Sequence, residues 1–114
     1  MISHLNGTWH ITKATKGGED IDEPARLEFE GDTFKRITES STWVRQFEVD
    51  EMHSPAWLTI HPTTEPFKGE TLLGIIKQEG NTLFICHNGP GEPRPGEFSS
   101  PLNSQIVLSI SQRR

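Results

Sequence analysis

The chain has 114 residues, a length that suits one domain with a single buried core. Only 32% of them are apolar, somewhat below a typical globular composition, which fits half-exposed strands around a partly polar interior better than a helical core. A net charge of −5 with no run of Lys or Arg argues against nucleic acid as a main partner, and no window approaches the length of a membrane span.

From the start of the chain, Met1-Ile2-Ser3-His4-Leu5-Asn6-Gly7 shows no apolar h-region. The chain as given therefore reads as cytoplasmic and soluble, with export left open should a leader have been removed. Short runs rich in β-branched and aromatic residues then recur between turn residues. Strands are expected near Gly7–Ala14, Arg26–Glu30, Thr33–Thr38, Thr42–Val49, Ala56–His61, Glu70–Gln78, Thr82–His87 and Ile106–Gln112. The acidic stretch Gly17 to Pro24 has room for one short helical turn, which Pro24 ends. Gly31-Asp32 and Gly80-Asn81 are two-residue hairpin candidates, with Ser40-Ser41 a weaker third. Gly89 to Pro101 is too rich in Pro and Gly for helix or central strand, and too long for a filler turn, so it is a candidate lid or site element. The pattern predicts an all-β fold spanning residues 1–114 as one domain. It would be an antiparallel up-and-down barrel of about eight strands, with this long loop before the last one.

Alternation assigns the faces. Leu27 and Phe29, Phe34 with Arg36 and Thr38, and Trp43 with Arg45, Phe47 and Val49 are expected inside. Ala56, Leu58 and Ile60 join them, followed by Leu72, Gly74 and Ile76, then Leu83 and Ile85. Glu28, Glu30, Lys35, Glu48, Thr59 and Lys77 fall on the solvent face, and with them Trp57, an exposed aromatic that offers a homodimer or partner surface.

A tight Ser40-Ser41 turn would set Thr38 opposite Trp43, Arg36 opposite Arg45 and Phe34 opposite Phe47. Two facing cations inside a barrel need compensation. An anionic head group held by both arginines, with its apolar part against the aromatics, supplies it. The ordinary alternative is a solvated pair at the rim, or neutralisation by Glu39, Glu48 or a loop glutamate.

Other side chains offer less. Arg94 and Glu97 could close over the mouth, or form a pair that pins the loop, with Phe98 plugging an apolar hole. His10, His53, His61 and His87 show no metal-site spacing, and no cofactor or metal is expected. Cys86, the single cysteine, rules out an internal disulfide and reads as a buried, inert thiol. Glu19, Asp20, Asp22 and Glu23 form a solvated acidic run without the spacing of a calcium loop.

Gly7-Thr8-Trp9, Phe29-Glu30-Gly31-Asp32, Gly74-Ile75-Ile76, Gly80-Asn81-Thr82-Leu83 and Pro93-Arg94-Pro95-Gly96-Glu97-Phe98-Ser99-Ser100 together resemble a family expanded in planctomycete bacteria. Its members carry a lipocalin-like domain of uncharacterised function. The resemblance implies a lipocalin-like (calycin) barrel and brings no established activity, so no catalytic residue is carried over. Gly7 and Trp9 are also similar to the general lipocalin signature. That likeness implies that Trp9 packs at the closed end under an arginine of the last strand, Arg113 or Arg114.

The favoured expectation is a non-enzymatic binding module for a small amphipathic, anionic ligand. Arg36 and Arg45 would serve the head group, and Trp43, Phe34, Phe47, Leu58, Ile60, Ile76 and Ile85 the apolar wall. One alternative is a protein-interaction or regulatory domain with a side-chain-filled barrel. The other is an isomerase- or lyase-type enzyme, which would need a carboxylate or His beside the arginines, where alternation is taken to put none.

Overall fold

A computed structural model describes residues 5–22 and 24–113. Expectations that fall on Met1–His4, Glu23 and Arg114 lie outside the described residues. Among the described residues the alternating segments form nine strands: β1 (Gly7–Lys16), β2 (Glu19–Asp20), β3 (Ala25–Glu30), β4 (Thr33–Thr38), β5 (Thr42–Asp50), β6 (Ala56–Pro62), β7 (Leu72–Glu79), β8 (Thr82–His87) and β9 (Val107–Arg113). Neighbours pair antiparallel in the order β1-β3-β4-β5-β6-β7-β8-β9, and β9 returns to pair with β1. Eight strands thus close into an up-and-down barrel, and β2 is an extra spur on the end of β1. Among the described residues no helix is long and apolar enough to cross a membrane.

Where the sequence suggests a helical turn after Gly17, the chain instead folds back as a hairpin, with Thr15 opposite Asp20 and Lys16 opposite Glu19. Gly17 and Gly18 make the turn at φ +58° and +82°, a conformation that side chains with a Cβ avoid.

The β4–β5 hairpin also departs from the expected register. Its turn is Glu39-Ser40, because Thr38 closes it from both groups. The Thr38 amide donates to the Ser41 carbonyl at 2.8 Å, and the Ser41 amide donates to Thr38 Oγ1 at 3.0 Å. Arg36 therefore faces Trp43, and Phe34 faces Arg45; the two arginines are not directly opposed. The slip is an even number of residues, so every side chain keeps its face.

One end of the barrel is filled. Phe29 and Phe34 stack with centroids 5.0 Å apart, and Phe47 meets each of them edge-on at 5.5 Å. Leu58, Leu72, Ile76 and Leu83 complete this core with Trp9, whose indole Nε1 donates to the Leu5 carbonyl at 2.9 Å. Trp9 pairs with Arg113 across β1 and β9, and the guanidinium lies 4.2 Å from the ring centroid. Such a stack covers the indole with a flat cation that retains its polar edge.

The Pro/Gly-rich loop does not close over the mouth. It lies on the outer wall, where Ile75 and Cys86, paired across β7 and β8, point outward yet are buried. The Cys86 thiol sits 3.5 Å from the carbonyls of Glu97 and Ser99, and burial raises its pKa. Arg94 is the clamp. Its Nη1 donates to the carbonyls of Leu58 at 2.8 Å and Gly74 at 2.7 Å, and its Nη2 donates to Thr59 Oγ1 at 3.3 Å. An Arg94–Glu97 pair does not form; Glu97 is exposed. Phe98 fills no hole but meets Phe84 edge-on, outside the barrel, beneath Lys77. Trp57 is 40% exposed, with its ring against Arg94 at 4.5 Å and His53 at 3.4 Å.

Two outcomes test this packing. A Cβ on Gly74 would stand 2.5 Å from the Cys86 carbonyl oxygen, so Gly74→Ala is expected to destabilise the fold by roughly 1–3 kcal/mol in urea unfolding. Arg94→Ala is expected to speed thiol labelling of Cys86 several-fold by loosening the clamp. Arg94→Lys is expected to do the same, because an ammonium cannot span both carbonyls and the hydroxyl as the planar fork does.

Candidate functional site

At the opposite end, side chains leave a cavity of about 310 Å³. It lies where β4 ends, β5 begins and β8 ends, and its walls are inward-facing residues in that half of the barrel. Leu27, Phe34, Ile60 and Ile85 form apolar wall and floor, while Lys16, Arg36, Trp43, Arg45, His87 and Ser109 bring polar groups. Among the sequence-derived candidates, Phe34, Arg36, Trp43, Arg45, Ile60 and Ile85 meet here. Phe47, Leu58 and Ile76 do not; they sit deeper, in the packed end below the floor, because the phenylalanine cluster fills the barrel there.

Arg45 is only 6% exposed. Burial, and secondarily the nearby Arg36, lower its pKa to about 10, so it remains a cation at neutral pH. Both guanidinium groups share Trp43, at 5.0 Å from Arg36 and 5.3 Å from Arg45 to the ring centroid. The cross-strand register and the two-residue step along β5 produce this arrangement, and cation–π attraction offsets part of the desolvation. Among the described residues no carboxylate lies within ion-pair distance of Arg45, and none lines the cavity. Glu48, one neutralising candidate, is instead on the outer face, 3.3 Å from His61.

His87 and Lys16 enter the site unannounced by the sequence reading. For His87 the signal was present: it continues the inward series Leu83, Ile85, so the expectation that no histidine stands beside the arginines is wrong. For Lys16 the signal was hidden. A bulge between Ile11 and Lys13 inserts one residue into β1, so the inward series changes from Trp9 and Ile11 to Ala14 and Lys16. The cover comes from connections that alternation does not reach, with Ile21 on one side and Pro66 and Phe67 on the other. The segment carrying Pro66 and Phe67 is stitched to β5 beside Trp43. Thr63 donates to the Val44 carbonyl from its amide and its hydroxyl, and the Val44 amide donates to Thr64 Oγ1 at 3.1 Å.

The His87 ring is tied down by Nδ1–H donating to the Asn88 carbonyl at 3.1 Å. Burial first, then the charge of Arg45 and more weakly that of Lys16, push its pKa down to about 4, against the opposing pull of the Asn88 carbonyl. At neutral pH the ring is uncharged. The site is thus an apolar pouch with three cations and one neutral imidazole. Among the described residues, no group of three or more His, Cys, Asp or Glu side chains is gathered to hold a metal ion. Compared with protein families, curated proteins and solved structures, the chain matches none.

The depressed His87 pKa makes stability depend on acidity. Between the ordinary imidazole value of 6.5 and the folded value of about 4, the unfolded chain binds a proton that the folded chain refuses. This contribution is whole above pH 6.5 and is lost as the pH falls toward 4, by up to ~3 kcal/mol. In His87→Gln the fall in unfolding free energy across that window is expected to be shallower than in the parent. Identical slopes would show that His87 titrates normally in the folded protein.

Proposed function

We propose that the protein is a non-enzymatic binding module that holds a small amphipathic anion in its barrel cavity. One observation carries this: Arg45 is buried in the wall with no carboxylate in ion-pair range among the described residues, beside Trp43 and above an apolar floor. A buried guanidinium without a counter-charge is costly to the fold. An anion entering the pouch supplies the missing charge, and Phe34, Ile60 and Ile85 take its apolar part. Arg36 and Lys16 add to the attraction, and steer an anion toward the mouth against the net charge of −5.

Relationship to the lipocalin-like family expanded in planctomycete bacteria is part of the same proposal. The closed barrel supports it, as does Arg113 lying across Trp9. An enzyme of isomerase or lyase type has His87 in its favour, as the group that could move a proton. Its low basicity, set by burial and then by the charge of Arg45, favours a binding role. A wholly side-chain-filled barrel has the cavity against it.

Decanoate serves as the probe. Calorimetry is expected to show it binding the parent, with losses of roughly 10- to 100-fold for each guanidinium removed, and no measurable binding in Arg36→Ala with Arg45→Ala. Arg45→Met alone is expected to hold or raise the melting temperature, since it removes an uncompensated buried charge and keeps the volume. Unchanged affinity in the double variant would overturn the proposal.

A further inference from the structure

The cavity is one-sided in its hydrogen-bonding capacity. Lys16, Arg36 and Arg45 are donors only, as is the indole of Trp43, and Ser109 can play either part. His87 differs from all of these. Its Nδ1 is committed as a donor, because its partner, the Asn88 carbonyl, can only accept. The other nitrogen, Nε2, then carries the lone pair of the neutral ring. It makes no hydrogen bond to any described residue, and the side chain lines the cavity.

Granting the binding reading on which this rests, we propose that His87 determines specificity. Its Nε2 accepts a hydrogen bond from a hydroxyl group of the bound anion, so the site prefers hydroxylated amphipathic anions to their unhydroxylated parents. The arginines attract the charged end of any such molecule and do not distinguish one from another. A methylene placed against Nε2 leaves a desolvated acceptor unpaired, whereas a hydroxyl satisfies it. Sites built to hydrogen-bond a hydroxyl discriminate strongly against analogues that lack one. A carboxylate oxygen cannot take this place, because two acceptors repel unless the ring is protonated. The burial of the ring and the charge of Arg45 disfavour that state. The charged and titratable side chains around the imidazole, among the described residues of the wall, are Lys16 on β1, Arg36 on β4 and Arg45 on β5.

Calorimetry at pH 7.5 with decanoate and its 2-, 3- and 10-hydroxy derivatives tests this. At least one hydroxy acid is expected to bind the parent about tenfold more tightly than decanoate, the difference one satisfied buried acceptor makes. In His87→Phe, which keeps a flat ring and loses the acceptor, the hydroxy acid and decanoate are expected to bind alike. The parent comparison stands even if that variant fails to fold. Nitrogen-15 NMR of the ring supplies an independent reading, with Nε2 expected to bear a lone pair in both the free and the decanoate-bound protein. If decanoate binds and no hydroxy acid binds better, the inference falls and the binding function stands. A protonated Nε2 with decanoate bound likewise overturns it, since the imidazolium would then pair with the anion. If none of the four acids binds, both fall together.

Discussion

Hydrogen bonding between β1 and β9 closes the sheet upon itself, and the site depends on that closure. An open sheet of these strands would expose its apolar face and leave two unpaired edges. Closure converts the inner face into a lumen and leaves Trp9 and Arg113 paired across the seam. It also gathers inward residues from near the ends of strands remote in sequence, Lys16, Arg36, Arg45 and His87, around one opening. No local segment carries this site; it exists only as a ring.

Within the ring, the two ends are built for opposite purposes. The end that holds Trp9 and the three phenylalanines is closely packed. The other end tolerates Arg45 in a nearly dry wall and a neutral His87 next to it. Stability is concentrated below the floor and electrostatic tension above it. Such a division suits the proposed binding role, in which a site keeps unmet needs that a ligand can meet.

How much of this was legible in the chain follows from which signals are local. Strand positions and faces were readable because side chains alternate with a fixed period and because Gly31 and Gly80 sit where turns need positive φ. That Arg36, Trp43 and Arg45 point inward survived an error in the β4–β5 register, since an even slip preserves faces. The turn itself was misread because Thr38 closes it with side-chain hydrogen bonds, a choice that dipeptide preferences do not report. Membership in the cavity was harder. Phe47, Leu58 and Ile76 share a face with the lining residues, yet alternation says nothing about depth along the barrel axis. The placement of the Pro-rich loop on the outer wall rests on Arg94 reaching backbone carbonyls, which have no signature in the side-chain sequence.

The bulge in β1 has a reach out of proportion to its size. One additional backbone unit near Thr12 turns the remainder of that strand by half a pleat, and in doing so presents an ammonium to the lumen. Gain or loss of a single codon at this place would exchange the residues that look inward past it, while leaving the ribbon and its neighbours in position. Insertions and deletions in the wall can therefore change the electrical character of such a lumen with no substitution anywhere in the chain.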